Sequence, residues 1–516
     1  MPQTAQINIK LTDNTHSNQN AATGIYGMMG TFPMGPTNEV SEVYKNFDKF
    51  KAVFGDLSTD FPDVLQAKIA LDMGCALRVV NVKNTGNSGA TKATQVGKFT
   101  APEEGEEEPE ELFAFTPKFY GKAYNNLVIA VVPAASDMSN AFDLTIQLTN
   151  DNSDVIASEL YKNLKITSKD DKEFLKDVER NSLLVDVVYK TITLTGDIIP
   201  EENTVTFSGG TEGTTTSENF INALPAWDNA TDIWGISAPN KSLSEEDDVT
   251  FYNNLLAYVG RRKEIRGMIW VGMSSLANTL IEDRGSIDSE WVDFFGGDIV
   301  INSPYNSGSK EISIPPMGAV LGIHGNSDTI AYPWYSAAGT NRGKINIANK
   351  VTYNFGTSAK FDDLNKLAQH QINMIVESET GVYLSGNFTG QIKQTMQSYT
   401  SIMKLYTYIK RTLILNLKDF IEEPLDLILV RQIYNRVLPI MNDLNSTSKR
   451  ALQQPRGWAW LGDQNCSIVQ EMTVNDPTDF QMGKYKAILQ IQPVNSLQVM
   501  DIEVALTDAG VELAIA

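Results

Sequence analysis

Residues 312–345, ISIPPMGAVLGIHGNSDTIAYPWYSAAGTNRGKI, constrain the fold of this 516-residue chain more than any other stretch. Pro315 and Pro316 open the segment, glycines punctuate an apolar run, and Pro333, Trp334 and Tyr335 close it. Proline fixes φ and removes a donor, whereas glycine permits φ > 0. The segment therefore predicts a turn, a short buried element over 318–323, and a second irregular turn. It specifies backbone shape and holds little that does chemistry. Taken alone, it also fits a structural loop of any large α/β domain.

A chain of 516 residues exceeds one hydrophobic core and implies roughly three or four domains. The formal charge of −21, from 42 Lys plus Arg against 63 Asp plus Glu, argues against nucleic-acid binding, which rests on neutralising phosphates. Part of the acid excess is the run EEGEEEPEE at 103–111, a self-repelling surface loop without the ligand spacing of a calcium site. No apolar run of about 18 residues occurs, which predicts no membrane insertion. The alternating start MPQTAQINIKLTDN predicts no export signal. Cys75 and Cys466 lie far apart, form no metal-spaced motif, and fit a reducing compartment.

Periodicity predicts a strand over 4–13 with Ile7, Ile9 and Leu11 on one face, then a polar stretch at 15–23. Residues 40–57 read as helical in part, 63–74 as an amphipathic helix stopped by Gly74, and 77–82 as a strand. From 113 to 207 the chain is β-rich, with strands at 126–132, 142–148 and 182–188 and a hairpin over 191–206. Helices at 218–224 and 247–262 then alternate with strands at 233–236 and 266–271, the pattern of a parallel sheet. Residues 399–452 read as helical, with Leu429, Ile433, Val437, Ile440 and Leu444 on one face and Pro439 as a kink. Two alternating segments follow, at 484–493 and 498–507.

Catalytic motifs are sparse. Of the three histidines, His16 sits in a polar arm, His370 on a helix, and only His324, near Asp328, has a suggestive neighbourhood. No nucleophile elbow accompanies it. Ser208–Gly213 (SGGTEG) lacks the Lys-Ser/Thr of a phosphate loop and reads as a turn between domains. Asp247 with Asp248, and Asp362 with Asp363, are adjacent rather than four apart, and read as caps and solvated faces. No catalytic, cofactor-binding or metal-ligating residues are predicted.

Both ends of the chain are β-patterned arms. A lone strand needs partners for its N–H and C=O groups. Each arm therefore returns to its own sheet or pairs with another chain, and a heterologous exchange generates rings or helical lattices.

The order of several motifs resembles the contractile-tail sheath proteins. In 312–345 the resemblance is carried by Pro315, Pro316, Gly318, Gly322, Asp328, Trp334, Ala337, Ala338 and Gly339. Elsewhere it runs through Gly30, Gly35 and Pro36, then Phe50, Phe54 and Gly55, then Gly74 and Arg78 to Val82. It continues through Tyr120, Gly121, Asn125 and Asn126, the 208–213 loop, Ala238 with Pro239, and Tyr408 to Arg411. It closes with Gly483 to Tyr485, Gln492 to Val494, and Ile502 to Val504. Asn387, Phe388 and Thr389 stand where that family has Arg-Thr-Leu, and a second proline after Val494 is missing.

The resemblance implies an α/β plus β multidomain structural subunit and no enzyme. Its parts are an N-terminal strand arm (1–23), an α/β part of the core (24–98), a β-sandwich (99–207), a subtilisin-like α/β layer (208–390), an α+β C-terminal domain (391–493) and a C-terminal strand arm (494–516). It implies hexameric rings stacked on an inner tail tube, with baseplate and tail-terminator partners and no cofactor. The location is a phage tail or a contractile particle assembled in the bacterial cytoplasm. Arm residues are Ile7, Ile9, Leu11, Val499, Ile502, Val504 and Leu506. Tyr485, Ile488 and Ile491 form the receiving hairpin, and Arg431, Arg436, Lys449 and Arg450 are candidate tube contacts. A non-contractile filament or shell subunit shares the arms, and an α/β enzyme needs a pocket at His324.

Overall fold

The computed structural model describes residues 20–86, 89–101, 110–136, 140–150, 153–167, 173–191, 198–305, 310–461 and 477–497. The described residues divide into two compact units, one of residues 20–411 and one from residue 412 onward. The predicted N-terminal strand, the segment 498–507 and most of the acidic run lie outside the described residues.

The larger unit is built on a seven-stranded sheet. Its strands are β1 (Ile25–Gly30), β2 (Ala76–Asn81), β3 (Gly235–Ser237), β4 (Arg266–Gly272), β5 (Val292–Gly296), β6 (Ile372–Ser378) and β7 (Gly381–Ser385). They lie in the order β7-β6-β5-β4-β3-β1-β2. Every pair is parallel except β6 with β7. Helices between them, such as α1 (Pro62–Asp72) and α2 (Glu246–Arg262), are the crossovers that parallel strands require. A cluster including Met29, Trp227, Phe251, Ile269, Phe294 and Met374 fills the layer between sheet and helices.

The predicted buried element at 318–323 is the middle of a longer helix, α3 (Met317–Ile330). Its glycines serve close packing rather than turns. A Cβ at Gly318 would come within 2.4 Å of the Gln66 carbonyl oxygen, and one at Gly322 within 2.5 Å of Met73 Cβ. Gln66 ties the two helices together, donating to the Pro315 carbonyl at 2.9 Å and accepting from the Gly318 amide at 2.7 Å. Because α3 is buried along most of its length, it has no polar face from which a period is read.

Between β2 and β3 the chain makes a β-rich insertion. One antiparallel sheet holds Thr94–Val96, Asn203–Ser208, Leu127–Pro133, Phe142–Thr149 and Val155–Leu164, in that order. A second holds Phe99–Thr100, Glu111–Pro117 and Val185–Tyr189. Phe99, Phe113, Phe115, Phe142 and Ile146 from both sheets share one core. Val155–Leu164, an edge strand with two register irregularities, has no counterpart among the predicted strands. The 208–213 loop closes the neck of this insertion: Glu212 accepts from buried Lys83 Nζ and from the Lys122 amide, both at 2.6 Å.

Asp247 is exposed, but Asp248 is not on a solvated face as predicted. Its buried carboxylate accepts from the Ser242 amide at 3.1 Å, Ser217 Oγ at 2.9 Å and Lys241 Nζ at 2.5 Å, which fixes the start of α2.

Candidate strand-docking hairpin and a buried ionic cluster

In the C-terminal unit, helix α5 (Leu427–Leu444) turns Leu429, Val430, Val437, Ile440, Met441 and Leu444 inward and includes Pro439. Asp426 caps it, accepting from the Leu429 amide at 2.8 Å. The unit also carries a hairpin of β8 (Trp458–Leu461) and β9 (Ile488–Ile491), paired antiparallel with Trp458 opposite Ile491. Among the described residues this sheet has two strands. Two strands alone are marginal in water.

The outer edge of β9 follows from its hydrogen bonds. The Gln492 amide donates to the Gly457 carbonyl at 2.7 Å, and the Gln492 carbonyl accepts from the Gln453 amide at 2.9 Å. In an antiparallel ladder the direction alternates, so the amides of Leu489 and Ile491 point away from β8. On one face of β9 lies an apolar groove of about 870 Å³, lined by Leu417, Phe420, Ile433, Trp460, Tyr485 and Leu489. Tyr485 thus sits in the groove, whereas Ile488 lies on the opposite face, 40% exposed. Leu489 was missed as a site residue, although the alternation Tyr485, Ala487, Leu489, Ile491 marks it.

The four candidate tube-contact residues differ in exposure. Arg431 is exposed on α5, and Arg450 is exposed in the turn beyond it with φ +48°. Arg436 is half-buried with its guanidinium 5.6 Å from the centre of the Phe420 ring, and Lys449 pairs with Asp443 at 2.5 Å. The arm residues Ile7, Ile9, Leu11, Val499, Ile502, Val504 and Leu506 lie outside the described residues.

In the larger unit, His324 belongs to a buried ionic cluster that sequence reasoning missed. Lys404, on α4 (Thr400–Leu417), donates to Asp328 Oδ1, and Tyr26 Oη donates to Asp328 Oδ2 at 2.8 Å. Beside it, Arg266 Nε donates to Asp293 Oδ2 at 2.6 Å, and Thr400 Oγ1 donates to Asp293 Oδ1 at 2.7 Å. Lys404 Nζ lies 3.5 Å from His324 Nδ1. An ammonium only donates, so Nδ1 accepts and the ring proton sits on Nε2, which is buried with no hydrogen-bond partner among the described residues. The gap next to the imidazole, lined by Phe295, Asn373 and Thr400, has no room for a water molecule.

Burial, followed by the charges of Lys404 and Arg266, holds the imidazole well below its ordinary pKa. A depressed folded-state value means that only the unfolded chain takes up this proton just below about pH 6.5. Stability from this group is complete above that pH and falls by about 1.4 kcal/mol per pH unit as pH drops towards the folded value. Urea unfolding between pH 7 and 5 should show this slope for the native chain and lose it in His324→Asn; equal slopes would contradict it.

No protein-family model and no curated protein sequence matches the chain. Among solved structures, the sheath tail protein of Listeria innocua aligns over 86% of this chain and 89% of that one, at 15% identity and a TM-score of 0.61. The chain has the tail-sheath fold. The sheath tail protein of Desulfitobacterium hafniense aligns over 89% of this chain and 93% of that one, at 14% identity and a TM-score of 0.57. A chain of the contracted helical sheath of the anti-feeding prophage aligns over 98% and 99%, at 12% identity and a TM-score of 0.56.

Within this sheath fold, the motif residues of 312–345 are scaffold. Pro315 and Pro316 lead into α3, and Asp328 anchors Lys404. The Trp334 ring stacks on Tyr332 at 4.7 Å and meets Tyr408 edge-on at 5.2 Å.

Proposed function

We propose that the chain is the subunit of a contractile sheath, polymerising as stacked six-subunit rings around an inner tail tube and shortening to drive that tube through a target envelope. Alignment with sheath tail proteins along nearly the whole chain is the observation that carries this reading. The parallel sheet acts as a subtilisin-like scaffold without its chemistry, and the insertion as a β-sandwich. Hinged strand arms at 1–23 and 494–516 join neighbouring subunits. The outer edge of β9, which pairs with no strand among the described residues, and its apolar groove support a strand-accepting role for the hairpin, with Tyr485, Ile488, Leu489 and Ile491 as its residues. Arg431 and Arg450 are the tube contacts best supported by exposure, ahead of Arg436 and Lys449. Baseplate and terminator proteins bound the polymer, which forms part of a phage tail or a related particle assembled in the bacterial cytoplasm. Contraction draws on a difference in subunit packing between two states rather than on a hydrolysed nucleotide.

Removing residues 1–20 tests the arms. Sedimentation should show polymer from the intact chain and only small, folded species from the truncated one. Polymer from both would rule out the N-terminal arm as the link.

A further inference from the structure

Residues 400–411 of α4 bury an unusual set of polar side chains: Thr400, Ser401, Lys404, Thr407 and Arg411 are each 7% exposed or less. The apolar stripe beside them is repetitive. Leu405 and Ile409, both buried, and Leu413 and Leu417, both half-buried, recur every fourth residue, so sliding the helix by four residues, about 6 Å, replaces one aliphatic side chain with another along this stripe. Apolar contacts of this kind discriminate poorly between registers.

The polar groups do discriminate. Thr400 reaches Asp293, and Asn387 Nδ2 donates to Ser401 Oγ at 2.8 Å while Asn387 Oδ1 accepts from the Ser401 amide at 3.2 Å. One turn on, Lys404 meets Asp328 and His324. Two turns further, Arg411 Nη2 donates to the carbonyls of Ile233 and Glu264, at 2.5 and 2.9 Å, with its guanidinium 4.9 Å from the Trp234 ring centre. A one-turn slip would bring Tyr408 or Thr400 opposite Asp328, leaving a carboxylate without its cation and an ammonium without its carboxylate. Buried polar pairs contribute less to net stability than to choosing one arrangement among near-equals.

We propose that Lys404 with Asp328, seconded by Arg411, forms a register lock that holds α4 at one position along its axis and stops it from ratcheting by a turn under load. The lock is a property of the folded chain and does not depend on the sheath reading. Lys404, Asp328 and Arg411 are positioning residues.

Paired cysteines read the register. Asn387→Cys with Ser401→Cys reports the native position, and Asn387→Cys with Leu405→Cys reports a one-turn slip. Each pair is placed in the native background and in Tyr26→Phe/Asp328→Leu/Lys404→Met/Arg411→Met, which removes the pins while keeping side-chain volume close to native and leaving no unpaired charge. The unpinned protein should keep a urea midpoint near the native one, yet form the 387–405 disulfide about tenfold more than the native background. A folded, unpinned protein that forms only the 387–401 disulfide would overturn the lock. If that variant does not fold, Asp328→Asn/Lys404→Gln decides instead: a raised 387–405 fraction supports the lock, and an unchanged one refutes it.

Discussion

Lys404→Ala should lower the free energy of unfolding by about 3–5 kcal/mol, because it strands a carboxylate in the interior rather than merely deleting a contact. Lys404 and Asp328 have side chains 2% and 0% exposed, so no solvent substitutes for the lost ammonium. Asp328 keeps only the Tyr26 hydroxyl on its other oxygen. The carboxyl is already pushed above its usual range by burial, with the ammonium opposing that push, so the variant should fold with Asp328 protonated. Adding Asp328→Asn to Lys404→Ala should therefore recover part of the loss. Urea unfolding of the two variants measures both effects. A loss below about 1 kcal/mol for Lys404→Ala would mean that water reaches the site.

Leu489→Pro should abolish polymerisation while leaving the subunit folded. The Leu489 amide points to the side of β9 that pairs with no strand among the described residues, so proline removes a donor that an incoming strand would need and none used by β8. The matching change at Gln490, whose amide faces β8, should instead unfold the hairpin. Sedimentation read beside far-UV circular dichroism separates the cases. Full-length polymer from folded Leu489→Pro would exclude this edge as the acceptor.

These two sites differ in how far the sequence displays them. Alternation made β9 legible, and amphipathic spacing made α2 and α5 legible, because each has one wet face and one dry face; α1, expected to be amphipathic, is instead buried along most of its length. Helix α3 was not legible as a helix: packing against α1 buries it and fills it with glycine, so the residues that usually break helices here allow close approach. The edge strand Val155–Leu164 hid behind irregularities that disturb its alternation. The ionic cluster assembles residues 26, 266, 293, 324, 328 and 404 from five elements far apart in sequence, and no local pattern announces the whole. Two signals were nonetheless present. Lys404 is the one charged residue in 400–409, the first half of its helix, and Asp328 follows His324 by four on another, which places both on one face.

The central claim is best tested by cryo-electron microscopy of the purified full-length chain, concentrated until it polymerises. The account predicts hollow helical tubes with six subunits per ring and a lumen wide enough for an inner tube. Monodisperse monomers, or solid filaments without sixfold rings, would contradict it.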